Sequence, residues 1–161
     1  MSSLFHRGRW EPARRRWIGL LDHAMIYVLI AGTYTPFALL VLRHGWRTPI
    51  LAVAWGGALL GTVLRFVRPN APAWFAAGTC LALGWISVVV LPQIVGRLGI
   101  GAAMLLFAGG IAYSVGGVVY ARRLPDPFPR TFGYHEIFHA LVVVAVVCQY
   151  ATVAFFVLPR A

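Results

Sequence analysis

The sequence predicts an all-α integral membrane protein in which the whole chain, residues 1–161, forms one membrane domain. Hydrophobic residues make up 60% of the chain and charged residues 11%, whereas a soluble domain carries about 25% charged residues. The charges lie between long apolar runs, as a bilayer requires, because a charge at its centre costs at least about 2.5–3.5 kcal/mol. The runs are continuous and too long for the alternating strands of a membrane barrel, so we expect the spanning segments to be helices.

Five apolar segments are long enough to cross the hydrocarbon, which takes about 20 residues in a helix. After a polar N-terminal segment, residues 1–18, they run approximately over residues 19–42, 48–66, 73–91, 98–120 and 134–158. The connections are short, so neighbouring helices are expected to be antiparallel. In the second segment Gly57 and Gly61 form a GxxxG pattern, which permits close helix packing but is weak evidence for a dimer, and the oligomeric state stays open.

The arginines predict the orientation of the chain in the membrane. All 14 basic residues are arginine, and alternate loops divide them ten to four. The ten on one side are Arg7, Arg9, Arg14, Arg15, Arg16, Arg65, Arg68, Arg122, Arg123 and Arg130. Because cytoplasmic loops are enriched in basic residues, we expect the N-terminus in the cytoplasm and the C-terminus outside. The arginines mark the ends of apolar segments and do not form one patch, which argues against a nucleic-acid partner.

A pair of histidines at the start of the last span is the strongest indication of a functional site. His135 and His139 are four residues apart, so they share one helix face and their ring nitrogens can meet one metal ion. In the alternative with a purely structural role, His135 and Glu136 are interfacial polar residues and His139 is a hydrogen-bonded core histidine. Against it, His6 and Asp22 lie at the same cytoplasmic level, and ionisable residues at membrane helices are costly and usually functional.

These residue types suit zinc. Zn²⁺ accepts neutral imidazole nitrogens, and three protein ligands leave a fourth position for a water whose pKa falls to about 7. His6, His135 and His139 would supply three nitrogens, and the Asp22 carboxylate would orient that water or take its proton. His23 lies about 100° around the helix from Asp22 and is left out of the ligand set.

Three motifs in order give the chain a family resemblance. Residues 2–6 read Ser-x-x-x-His, and Leu21-Asp22-His23 leads into Tyr-Val-Leu-Ile-Ala-Gly-Thr-Tyr-Thr-Pro-Phe at residues 27–37. Residues 120–127 read Tyr-Ala-Arg-Arg-Leu-Pro-Asp-Pro and precede Phe-Gly-Tyr-His-Glu-Ile-Phe-His at residues 132–139. Over nearly its whole length the chain thus resembles the bacterial hemolysin III proteins, members of the progestin and adipoQ receptor (PAQR) family.

The resemblance implies a seven-helix bundle in the bacterial inner (plasma) membrane, with zinc near the cytoplasmic face. It implies that His6, His135 and His139 are the ligands, and that Ser2 and Asp22 belong to the hydrogen-bonded surroundings of the zinc and its water. This chain offers five of the seven helices, and Met1 falls at the end of what the resemblance makes the second helix. We therefore expect that its start was assigned too late or that the chain is a natural truncation.

Several functions fit these observations. The first is a zinc-dependent, ceramidase-like hydrolase acting on an amide or ester of a membrane lipid, which the open coordination position favours. The others are a non-catalytic, receptor-like membrane sensor with structural zinc, a cytolytic pore-former, and an intramembrane metalloprotease with Glu136 as general base. The protease is disfavoured because the resemblance carries the histidines and offers Asp22 as the base, and the pore lacks a strongly amphipathic helix. The sequence identifies no substrate.

The orientation can be tested with reporters fused after Ala161. A reporter that is active only in the cytoplasm should be silent there, and one that is active only outside should give a strong signal, because the ten-to-four division of arginines places the C-terminus outside. The reverse pattern would move the histidine pair to the outer face.

Overall fold

The computed structural model describes residues 11–128 and 132–160, and within them the chain is a bundle of helices. The α-helices are α1, Pro12–Leu40; α2, His44–Val67; α3, Ala73–Trp85; α4, Leu91–Leu98; α5, Ile100–Arg122; and α6, Tyr134–Thr152. A 3₁₀ segment, Ile86–Val90, joins α3 to α4, and a π-helical turn, Val153–Val157, followed by a 3₁₀ turn, Leu158–Arg160, extends α6.

Five stretches of helix are long and apolar enough to cross a bilayer. They are Trp17–Leu40, His44–Val67, Ala73–Leu98, Ile100–Arg122 and Tyr134–Arg160. The described residues contain no β-sheet, and their one strand-like pairing joins Phe128 to Phe132 in the loop before α6. The prediction of an all-α membrane protein with five spanning helices is thereby confirmed.

The third span differs most from its predicted bounds, because it continues past Leu91 to Leu98. Pro92 does not end it, since a proline is tolerated in the first turn of a helix and here stands in the first turn of α4. The turn to α5 is made by Gly99 alone, whose φ of 87° is a left-handed conformation that favours glycine. The third and fourth spans are therefore joined by a single residue.

The 3₁₀ segment interrupts the third span within the bilayer, and a tyrosine from α1 satisfies the backbone groups there. The Tyr34 hydroxyl lies 2.8 Å from the carbonyl oxygen of Leu83 and 2.7 Å from that of Gly84. The same hydroxyl accepts a hydrogen bond of 2.9 Å from the backbone N–H of Ser87. Since hydrocarbon offers no water to such groups, a break in a membrane helix needs a partner of this kind.

The core lies along one face of α1. Tyr27, Ala31, Tyr34 and Ala38 are spaced three or four residues apart and are all buried, with the two alanines fully covered. This face packs against α2 and α3, and the Tyr27 hydroxyl is 2.7 Å from the Thr79 hydroxyl of α3. The first helix therefore contributes much of the buried core and contacts both α2 and α3.

Both glycines of the GxxxG pattern in α2 meet other helices of the same chain. A Cβ added at Gly61 would overlap the ring of Tyr27, and one added at Gly57 would lie 2.6 Å from Cδ1 of Leu83. The close packing that the pattern permits is thus used inside the bundle, against α1 and α3.

Among the described helices α5 and α6 share the most extensive contact, and small residues make their close approach feasible. A Cβ at Gly109 would lie 3.2 Å from the backbone oxygen of Ala145, and one at Gly116 would lie 3.4 Å from Cβ of Leu141. Both glycines are buried, as is Ala112 between them. Because the first turns of α6 carry the histidine pair, this contact sets the distance of the histidines from the rest of the bundle.

The substitution Gly61→Ala should lower the melting temperature of the detergent-solubilised protein. The added methyl group meets three atoms of a buried ring whose hydroxyl is held by Thr79, so the helices must shift. Overpacking of this kind costs roughly 1–3 kcal/mol. Gly56→Ala is the matched control, because nothing lies within 4 Å of a Cβ at that position. Equal melting temperatures for the two variants would contradict the described contact between α1 and α2.

Candidate metal centre

The start of α6 is held by two carboxylates. The first N–H groups of a helix have no partner within it and need acceptors from elsewhere. Here Oε2 of Glu136 accepts a hydrogen bond of 2.9 Å from the N–H of Gly133, and Oδ1 of Asp126 accepts one of 3.1 Å from the N–H of Tyr134. Negative charge at this end is also favourable to the helix dipole. The first turns of α6, which carry both histidines, are anchored in this way.

His135 and His139 point their ring nitrogens at each other. Their Nε2 atoms are 3.0 Å apart, and the ring centroids are 4.6 Å apart with planes inclined at 84°. Two nitrogens bound to one tetrahedral zinc at about 2.0–2.1 Å would be separated by about 3.3 Å, so a small opening of the pair accommodates the ion. The donor type and the spacing of these two side chains fit zinc.

Aromatic rings enclose the two imidazoles. The Tyr120 ring of α5 lies 6.2 Å from the His135 ring, and the Phe138 ring lies 5.2 Å from the His139 ring, measured between centroids. Tyr120 and Phe138 also contact each other, with centroids 5.1 Å apart. The two half-buried imidazoles are therefore packed beside aromatic rings on one side and line the cavity on another.

Two charged residues from other helices face the same space. Asp22 of α1 and Arg65 of α2 both line the cavity that His135 and His139 line. Both are also close enough to interact electrostatically with the Tyr120 hydroxyl. Three helices that are distant in sequence therefore bring a carboxylate, a guanidinium and two imidazoles to one end of the bundle.

The cavity has a volume of about 370 Å³. It extends from Asp22 at the histidine end to Ala38 on α1, and sixteen residues of helix cover about 24 Å. Most of its wall is apolar, with side chains such as Ile30, Leu81 and Val142. A space of this length and lining suits a single hydrocarbon chain.

Some of the predicted site residues lie together in the structure, and others lie outside the described residues. His135, His139 and Asp22 line one cavity, whereas Ser2 and His6 lie outside the described residues. Within residues 11–128 and 132–160 there is no group of three or more histidine, cysteine, aspartate or glutamate side chains that could hold a metal. The three-histidine ligand set, which needs His6, therefore stays a prediction.

Two residues of the site were missed by the sequence analysis. Arg65 was counted only for orientation, and Tyr120 was quoted in a motif without a role. A signal for each existed, since both stand at the cytoplasmic ends of predicted spans, at the level of Asp22 and the histidines. The sequence could not show that the helix face carrying each of these two residues lines the cavity.

The role of Glu136 also becomes clear. Its side chain is exposed and bonds to the backbone at the start of its own helix. In a metalloprotease the same glutamate of HExxH acts as the general base. Its engagement at the helix terminus disfavours that use here.

Comparison with known proteins places the chain in a family. The profile described as "Haemolysin-III related" matches residues 1–150. Hemolysin-3 of Bacillus cereus is 36% identical over 155 residues, which cover 94% of this chain and 66% of that protein. The hemolysin-3 homolog of Bacillus subtilis (strain 168) is 33% identical over 137 residues, which cover 85% of this chain and 62% of that protein.

The chain thus spans 62–66% of the length of these two curated relatives. No solved structure matches it. The match to the family extends from the first residue to residue 150, near the end of α6, and it includes both histidines of the pair. Together with the five membrane-spanning helices, these findings confirm the resemblance seen in the sequence. The chain belongs to the hemolysin III family of multi-pass membrane proteins.

Proposed function

We propose that this protein holds Zn²⁺ near the cytoplasmic face of the bacterial cell membrane and hydrolyses an amide or ester bond of a membrane lipid. One observation carries the proposal. The two Nε2 atoms, 3.0 Å apart, lie at the end of an apolar cavity that also presents a carboxylate and a guanidinium. A convergent polar cluster at the end of an apolar pocket is the usual form of an active site for an apolar substrate.

In this proposal His135 and His139 hold the zinc together with His6. When bound, zinc supplies a Lewis acid and lowers the pKa of water to about 7. The two ring nitrogens are 3.0 Å apart on one helix face, so little reorganisation is needed to bring both to one ion. The hydrogen bonds that Glu136 and Asp126 accept at the start of α6 also limit reorganisation, because they hold the helix that carries both rings.

The remaining residues have roles that follow from their chemistry. The carboxylate of Asp22 orients the attacking water or accepts its proton, as a general base must. The guanidinium of Arg65 supplies a positive charge where the carbonyl oxygen of the substrate becomes negative. The apolar cavity holds the hydrocarbon chain of the lipid and keeps the scissile bond at the histidine end.

The hydrolase is preferred to the alternatives for separate reasons. A structural zinc in a sensor would not need a carboxylate and a cavity long enough for a lipid chain beside it. A metalloprotease would need Glu136 free to act on water, but Glu136 bonds to the N–H of Gly133. Of the activities considered, lipid hydrolysis uses most of the features found at this site.

Metal binding is the first test. The protein purified without added metal should contain about one zinc per chain, and the double variant His135→Ala, His139→Ala should lose it, because two imidazole ligands are removed. His44→Ala is the matched control, since His44 is an exposed histidine at the start of α2, at the opposite end of the bundle. Elemental analysis measures all three. Zinc retained in the double variant would remove the basis for the site.

Catalysis is the second test, and it separates a hydrolase from a sensor. A panel of fluorescent N-acyl and ester lipids should reveal turnover, and Asp22→Asn should lower it by roughly 10²–10⁴-fold, as loss of a general base does, with most of the zinc retained. Glu136→Gln should be much milder, because the amide oxygen can still accept the bond from Gly133. An inactive Glu136→Gln beside an active Asp22→Asn would favour the protease instead. Wild-type protein that is loaded with zinc and cleaves none of the lipids would favour the sensor.

A further inference from the structure

Two polar side chains in the cavity wall have no role in the proposed hydrolysis. The hydroxyl of Tyr113 on α5 and Oε1 of Gln149 on α6 are buried and have no hydrogen-bond partner among the described residues. Both residues line the cavity. Both also belong to helices that are long and apolar enough to cross the bilayer. A buried polar group without a partner is costly, so its presence calls for an explanation.

The two side chains lie in the same part of the cavity. Gln149 packs beside Gly109, where an added Cβ would lie 3.7 Å from Cγ of Gln149. Tyr113 is four residues from Gly109 and therefore on the same face of α5. Helical side chains lean toward the N-terminus of their own helix, and α5 and α6 are antiparallel, so Tyr113 and Gln149 lean toward each other.

This polar pair is far from the histidines. Gln149 follows His139 by ten residues of α6, which corresponds to about 15 Å along the helix axis. The cavity between the two levels is lined mainly by apolar side chains. A ligand that reaches both levels must therefore be long and mostly hydrocarbon, with a polar group part of the way along its chain.

We propose that Tyr113 and Gln149 form a subsite for a hydroxyl group carried in the middle of a lipid hydrocarbon chain. The inference rests on the proposed function in one respect, namely that the cavity holds such a chain. A hydroxyl can donate to Oε1 of Gln149 and accept from the hydroxyl of Tyr113. A carbonyl only accepts and would leave the Gln149 oxygen without a partner, and an unsubstituted chain would leave both atoms unsatisfied.

The subsite requires a small adjustment on binding. The two polar atoms are covered by the surrounding side chains, so the carboxamide of Gln149 must turn toward the cavity. The last side-chain torsion of glutamine is broad and soft, so this rotation is inexpensive. A hydroxyl also suits the amide in either orientation, because it can act as donor or acceptor.

The experiment compares the binding of two fatty acids to the full-length chain in detergent. The probes are radiolabelled stearic acid and 12-hydroxystearic acid, which differ by one mid-chain hydroxyl. We expect the hydroxylated acid to bind about tenfold more tightly, as one net hydrogen bond allows. Tyr113→Phe and Gln149→Met should each reduce this preference while leaving the affinity for stearic acid and the zinc content unchanged. Thr33→Val is the matched control, because Thr33 lines the cavity but its hydroxyl donates to the carbonyl of Ile30.

Each outcome decides the matter. Equal binding of the two acids by the wild type would overturn the subsite alone. A preference that survives in Tyr113→Phe and Gln149→Met, with only their melting temperatures lowered, would show that the two side chains serve each other, and it would also overturn the subsite. Binding of neither acid would overturn both the subsite and the use of the cavity for lipid chains. Because binding needs no turnover, absence of hydrolysis together with a tenfold preference would refute the proposed activity and leave the subsite standing.

Discussion

Within the hydrocarbon of a membrane, every backbone N–H and carbonyl group must find a partner in the protein, and this constraint explains most of the architecture. It makes helices the only practical form for the five spanning segments. It also explains why the 3₁₀ interruption of the third span, Ile86–Val90, lies against the hydroxyl of Tyr34, which serves two carbonyl groups and one N–H group. The N–H groups at the start of α6 also lack partners in the helix backbone, and the carboxylates of Asp126 and Glu136 accept their hydrogen bonds.

Close packing of backbones is the second consequence. Helices in a bilayer gain little from the hydrophobic effect among themselves and associate through close contact, which favours small residues. Gly61 admits the ring of Tyr27 between α1 and α2, and Gly109 and Gly116 bring α5 against α6. The second of these contacts positions the site, because Phe138 and its neighbouring histidines lie beside Gly116 and Tyr120. A bulky residue on this face of α5 would displace the helix that carries His135 and His139.

The polar residues that the architecture does not need are concentrated around the cavity. Asp22, Arg65 and the two histidines stand at one end, and Tyr113 and Gln149 stand deeper in the wall. Ionisable groups in membrane helices are costly and are retained for function. The proposed hydrolase uses the first group and the proposed hydroxyl subsite uses the second, so one cavity accounts for both. The family match covers the histidine pair, while the third proposed ligand, His6, lies outside the described residues.

The sequence by itself determined the properties that depend on neighbours along the chain. The five spans follow from the length of apolar runs, and the shared face of His135 and His139 follows from the helical repeat of 3.6 residues. The tertiary structure alone decided the rest, because it depends on which helices meet. The sequence offered no sign that Tyr34 would satisfy the broken third span, 49 residues away at Leu83. It placed Arg65 and Tyr120 at the level of the histidines but could not show that both would line the same cavity. It likewise could not show that Glu136 would bond to the start of its own helix, since HExxH has the same spacing whether its glutamate acts on water or holds a helix terminus.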